Sequence, residues 1–136
     1  MAADSVPDPV PAPTRQRAER GLRAWHSGFS AEEAVARRYQ ALGYAVAARR
    51  WRGLSGEIDL VLQRPGEVIF VEVKQAQTHA LAAERLGPAQ ILRIHGASEE
   101  YVDRVMGRPA VERQYHLALV DGAGRIAVLD DAFLVM

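Results

Sequence analysis

The sequence predicts an α/β fold, a mixed β-sheet flanked by helices in the order α-β-β-β-α-β-β. Three observations predict it. Apolar residues recur at helical spacing over 31–42 and 88–105; strand-like runs follow one another at 44–52, 57–64 and 67–74; and a glycine-rich turn joins two more apolar runs near the C-terminal end. With 49% hydrophobic and 25% charged residues, the composition suits one globular core. Residues 15–136 are therefore expected to form a single domain. Residues 1–14 carry prolines at 7, 9, 11 and 13 and read as an extended or disordered tail, because proline neither continues a helix nor pairs in a central strand.

Each element has its local signal. Residues 15–27 read as a short helix or an arm. Ser30 is a plausible N-cap, with Glu33 three residues on as in a capping box. Ala31, Ala34, Val35, Tyr39 and Leu42 then recur at helical spacing until Gly43 stops the helix. Strands are expected from Tyr44 to Arg52, Glu57 to Arg64 and Glu67 to Lys74, the last two joined by a Pro65-Gly66 turn. Alternation places Ile58, Leu60 and Leu62 on one face beside Ile69, Val71 and Val73. A second helix is expected from Pro88 to Val105, burying Ile91, Leu92, Ala97, Tyr101, Val102 and Val105. Strands Tyr115 to Val120 and Arg125 to Leu129 flank Asp121-Gly122-Ala123-Gly124, a hairpin turn with no helix behind it to make a phosphate loop.

Composition excludes several chemistries. Cysteine is absent, which removes disulfides, thiolate metal sites and cysteine nucleophiles. No run approaches the roughly 18 apolar residues of a membrane span, and a secretion signal is not evident, so a cytosolic protein is expected. Formal charge is zero, yet between residues 15 and 52 nine arginines stand against three acids, Glu19, Glu32 and Glu33. That segment reads either as a track for phosphates or as a solvated face. Of the seventeen basic residues sixteen are arginine, and the single lysine is Lys74 at the end of an apolar strand. A compact, titratable ammonium is one reason for the exception; chance is the other.

The hairpin gathers the candidate chemistry. Symmetry about Pro65-Gly66 sets Asp59 opposite Glu72 and Glu57 opposite Lys74, on the side away from the aliphatic face. Two carboxylates at that spacing, roughly 4.5–5.5 Å between Cβ atoms, repel unless a positive charge lies between them. Oxygen donors without cysteine suit a hard dication, magnesium or manganese. The competing reading makes Glu57 and Lys74 an exposed ion pair, with Asp59 and Glu72 merely solvated.

Gly56-Glu57-Ile58-Asp59-Leu60-Val61 followed by Val68-Ile69-Phe70-Val71-Glu72-Val73-Lys74 closely resembles the paired signature of the uncharacterised YraN-like bacterial proteins, within the PD-(D/E)xK nuclease superfamily. The likeness extends over about residues 20–136, through the Ala31-Glu32 helix start, the Arg49 to Arg52 segment and Asp131-Ala132-Phe133. It implies a restriction-endonuclease-like fold and a metal-dependent hydrolysis of phosphodiester bonds in DNA or RNA. In that superfamily the first-strand aspartate, the glutamate of the E-x-K motif and the carbonyl after it hold the metal, while the lysine assists the attacking water. The matching residues are Asp59, Glu72, Val73 and Lys74. A helical acid that often completes the site matches Glu32, with Glu33 as its neighbour. Gln75 stands where the family commonly has arginine, Gln90 where it has a helix lysine, and Arg50 where asparagine is frequent. These three, with Arg49 and Arg52, are the candidates for nucleic-acid contact. The family has no established activity, and a non-catalytic nucleic-acid-binding or scaffold protein on the same fold is the alternative.

The histidines at 26, 79, 95 and 116 show no paired ligand spacing and are assigned no role. Trp25, Tyr44 and Trp51 lie near arginines and either stack on bases or pack on the core. The apolar end Phe133-Leu134-Val135-Met136 suits docking on its own sheet or on a second subunit, as in a homodimer.

Overall fold

A computed structural model describes residues 30–130. The tail, the arginine-rich segment before Ser30 with Trp25, and the apolar C-terminal end lie outside them. Helix α1 (Ala31–Ala41) opens on Ser30, whose Oγ accepts the Glu33 N–H at 3.1 Å. It ends where Gly43 takes φ +99, a left-handed conformation that glycine adopts without Cβ strain. Strands β1 (Ala45–Arg52), β2 (Glu57–Arg64) and β3 (Glu67–Gln75) follow as an antiparallel meander. Helix α2 (His79–Ala83) and helix α3 (Pro88–Arg104) cross over to β4 (Glu112–Val120), which pairs parallel to β3 and leads into antiparallel β5 (Ile126–Asp130). The five strands keep sequence order across the sheet. This mixed sheet between helical layers is consistent with a restriction-endonuclease-like fold. Among the described residues no helix is long and apolar enough to cross a membrane.

The sheet is apolar on both faces. Leu60, Leu62, Ile69, Val71, Ala118 and Val120 pack under Val35, Ala36 and Tyr39 of α1, with Val73 beside them. On the other face Val61, Val68, Phe70, Leu117 and Leu119 pack under Ala82 of α2 and Ile94, Ala97, Tyr101 and Val102 of α3. Ile58 departs from the expected face and joins this second cluster, as does Trp51, its partner in β1. The cause lies between Arg49–Leu60 and Trp51–Ile58, where Arg50 takes φ +50. A left-handed residue turns the pleat, so the next pair emerges on the α3 side. Trp51 thereby stands edge-on to Tyr101 at 5.2 Å, and Tyr44 lies under the Arg64 guanidinium at 4.2 Å, so both rings are engaged inside the protein rather than offered to bases.

The expected buried side of α3 holds at Ala97, Tyr101 and Val102, with Ile91 packed against the core, and fails at Leu92 and Val105. Ile94, Ala97, Ser98, Tyr101 and Val102 are its inner stripe, while Leu92 and Val105 are exposed. Leu42 likewise points outward, just beyond the end of α1. Helix α2 has no counterpart in the predicted order, although Thr78 caps it by accepting the Leu81 N–H at 3.1 Å.

Candidate functional site

The site begins where β2 and β3 part. Their register holds symmetrically from Arg64 opposite Glu67 to Leu60 opposite Val71, and the paired residues end there. One step on, Asp59 replaces the missing backbone link with its side chain: Oδ2 accepts the Val73 N–H at 2.8 Å. The Glu72 carboxyl lies near enough for the two acids to perturb each other's titration. The expected convergence of these two acids is thus present. The Glu57–Lys74 opposition is not formed, because the strands have already diverged. Glu57 lies 3.8 Å from Arg52 across β1, whereas Lys74 Nζ sits 3.1 Å from Glu72 Oε2.

Among the described residues Glu72 is one of few buried polar side chains, 4% exposed. Alternation along β3 carries it beyond Val68 and Phe70 onto the α3 face, where the first turn of α3 brings Gln90 over it. Gln90 Nε2 donates to Glu72 Oε2 at 2.6 Å. Gln90 therefore covers the acid instead of lying free for a nucleic-acid backbone.

The electrostatics follow from this enclosure. Burial, and next the neighbouring Asp59 carboxylate, push Glu72 up to about 8, against the lowering influence of Lys74. Burial also raises Asp59, opposed first by the Val73 N–H; the Glu32 carboxylate pushes in the same direction as burial. Two carboxyls this close cannot both ionise cheaply away from water, so the Asp59 carboxylate disfavours the charged form of Glu72.

Glu32 approaches from the first turn of α1, and its Oε1 is held by Arg50 at 3.1 Å. Glu33 takes a two-pronged bond from Arg49, at 3.1 and 3.2 Å. All three candidate phosphate arginines thus have carboxylate neighbours, although Arg52, at 79% side-chain exposure, remains open to solvent. Gln75 follows Lys74 at the end of β3, and its side-chain nitrogen is buried without a hydrogen-bond partner. Val73 takes part through its N–H.

Among the described residues no group of three or more His, Asp or Glu side chains is placed to hold a metal ion. Asp59 and Glu72 nonetheless fit a hard dication as a pair: both donors are oxygens, and the Asp59 carboxylate raises the pKa of Glu72, a repulsion that a cation between them would relieve. Magnesium commonly uses one or two carboxylates and completes its shell with water and phosphate oxygens.

Periodicity did not reveal two further features. Glu100 of α3 accepts from Leu54 N–H (2.7 Å), Ser55 N–H (3.0 Å) and Ser55 Oγ (2.8 Å), clamping the β1–β2 loop beside the site. The loop lies so close that a Cβ on Gly56 would come within 2.9 Å of Arg93 Cβ. On the α1 face the buried His116 donates from Nε2 to Gln114 Oε1 at 3.0 Å and shares a 2.6 Å hydrogen bond with Tyr39 Oη through Nδ1, a packing role on the face of the sheet opposite Glu72. A glutamate on a helix and a histidine in a strand carry no sequence signal for such partners.

A family model, described as uncharacterised protein family UPF0102, matches residues 31–128. A UPF0102 protein of Cereibacter sphaeroides (strain KD131) is 48% identical over 113 residues, 83% of this chain and 97% of that protein. One from Roseobacter denitrificans is 43% identical over 119 residues, covering 88% of this chain and 92% of its own length. One from Ruegeria sp. (strain TM1040) is 35% identical over 120 residues, covering 88% and 97%. The matched span contains the whole sheet except its last two residues and every candidate site residue. The chain therefore belongs to the UPF0102 family, the YraN family whose paired strand signature it carries, and placement in the nuclease-like superfamily is consistent with that membership.

Proposed function

We propose that the protein is a cytosolic, metal-dependent nuclease that hydrolyses phosphodiester bonds in DNA or RNA with Asp59, Glu72 and Lys74. The observation that carries this reading is the pairing of a half-buried aspartate and a buried glutamate from diverging strands beside the only lysine in the chain. A bound magnesium or manganese ion supplies Lewis acidity and a water of lowered pKa. Asp59 and Glu72, deprotonated, would hold the cation, and the Val73 N–H fixes the Asp59 carboxylate in place. Lys74, held 3.1 Å from Glu72, offers an ammonium to orient the attacking water and to offset charge gathering on the phosphoryl oxygens. Glu32 is the third acid, available once Arg50 releases it.

The test uses purified protein with manganese or magnesium on DNA and RNA of varied structure. Cutting is expected, and Asp59→Ala, Glu72→Ala and Lys74→Ala should each lower it by at least about 100-fold while the circular dichroism stays native. Calorimetric titration with manganese should show binding to wild type and none to Asp59→Asn. A folded Asp59→Asn variant that binds manganese as well as wild type sinks the reading.

One observation favours the non-catalytic alternative: Glu72 is 4% exposed and already saturated by Lys74 and Gln90. Under that reading nucleic-acid binding survives the three substitutions and no metal-dependent cutting occurs.

A further inference from the structure

Arginine is abundant in this chain, but its positive charge is mostly neutralised within the protein. Arg49, Arg50, Arg52, Arg64, Arg104, Arg108, Arg113 and Arg125 each have a carboxylate within 4 Å. Arg85, in the short link between α2 and α3, donates its backbone N–H to Ala82 O, but its guanidinium has no ion pair or hydrogen bond among the described residues. Its position is not random. Arg85 lines a cleft of about 470 Å³ whose wall also contains Lys74, Gln75, Gln77 and Gly122, and no acidic side chain lines it.

The cleft has a second unmet demand. The Gln75 side-chain nitrogen is buried and lacks an acceptor, a state that proteins avoid unless something outside completes it. Gln77 packs its amide over Gly122, where any Cβ would come within 2.7 Å of it, so the glycine makes room for that amide on the cleft wall. Lys74 of this wall is held by Glu72, but Arg85 and the two side-chain amides have no carboxylate lining the cleft to compensate them, a local excess of donors in a molecule of zero formal charge. Such a wall demands a ligand that offers several oxygen acceptors and negative charge. A guanidinium fork beside an ammonium matches the oxygens of a phosphate group.

We propose that this cleft is a phosphate seat, which grips a phosphodiester of the nucleic-acid strand through Arg85 and Gln75 next to the group presented to Lys74. The identity of the strand rests on the nuclease reading above; the anion seat itself does not. Arg85 would set the register of the strand, and Lys74, which lines the cleft and lies 3.1 Å from Glu72, joins the seat to the carboxyl pair.

Binding of labelled single- and double-stranded oligonucleotides to the full chain is measured by fluorescence anisotropy across a salt series, in chelator so that no cutting intervenes. Arg85→Ala should weaken binding about 10-fold and reduce the slope of log affinity against log salt by about 0.7–0.9, the loss of one phosphate contact. Gln75→Leu should weaken binding by a smaller factor with the slope unchanged. Arg64→Ala, at the far end of the hairpin and already paired with Glu67, should bind as wild type does. Equal affinity and slope for Arg85→Ala and wild type overturns the seat, as does an equal loss in Arg64→Ala or an absence of wild-type binding. A chain that cuts nucleic acid with manganese while Arg85→Ala binds normally defeats the seat alone. Arg85-dependent binding without any cutting defeats only the nuclease reading.

Discussion

The two ends of the β2–β3 hairpin are built from the same strands and behave in opposite ways. From the turn to Leu60–Val71 every residue has its backbone partner, Gly66 takes the left-handed φ of +80 that the turn needs, and all the paired side chains but Gln63, Arg64 and Glu67 are aliphatic or aromatic. Beyond that point the strands separate, and a side chain, Asp59, satisfies the Val73 N–H. The closed end derives its stability from burial that no single polar group controls. The open end places two acids where burial works against their charge. A strand pair can thus fix a polar site firmly because its other half needs no polar help.

Substitution at the closed end tests this most strongly. Phe70 is fully buried, stacked 5.4 Å from Tyr115 and edge-on to Tyr101 at 5.9 Å. Phe70→Ala removes that ring from the centre of the α3 face and should cost about 3–5 kcal/mol in urea unfolding. Loss of under about 1 kcal/mol would mean the closed end is not the anchor.

The open end should respond to pH instead. Glu72 rises from 4.5 to about 8 on folding, so the native state binds more protons than the unfolded chain between those values. Stability is then fullest below about 4.5 and falls as pH rises toward about 8, by at most about 1.4 kcal/mol per pH unit for one proton. Acid-sensitive groups elsewhere act in the opposite direction, so the clean measure is the difference from Glu72→Gln. That variant should lose less stability than wild type between pH 5 and 8, and manganese should flatten the wild-type curve by taking the proton's place. A parallel pH dependence in both proteins would show that Glu72 ionises freely and that the open end is not strained by charge.

The contrast also explains what the sequence reveals. Alternation and the Pro65-Gly66 turn locate the closed end because register there depends on period and turn type alone. The same symmetry correctly brings Asp59 to Glu72, since the divergence begins only one residue before them. It misplaces Glu57, which lies past the divergence, and Ile58, which a left-handed residue on the neighbouring strand turns to the other face. Gln90 over Glu72 depends on how α3 docks, a tertiary fact with no local pattern. Helix α2 went unpredicted for a different reason: five residues are too few to display a helical period, and only the Thr78 cap signals it. Fold class was legible throughout because it needs only the order of elements.

Arg50 is where the two ends meet, and its replacement has the smallest expected effect. Its φ of +50 imposes a left-handed conformation on a residue with a Cβ, while its ion pair to Glu32 is exposed and therefore weak. Arg50→Gly relieves the first and sacrifices the second, with some added chain entropy in the unfolded state. The relief should win narrowly, raising the urea midpoint slightly. The pleat reversal should persist, because Trp51 and Ile58 are held by burial against Tyr101 and α3 rather than by Arg50 itself. The Trp51 indole resonance should accordingly stay within its wild-type position. A shifted Trp51 signal with a lowered midpoint would instead make the arginine, through its bond to Glu32, the element that sets the geometry at the open end.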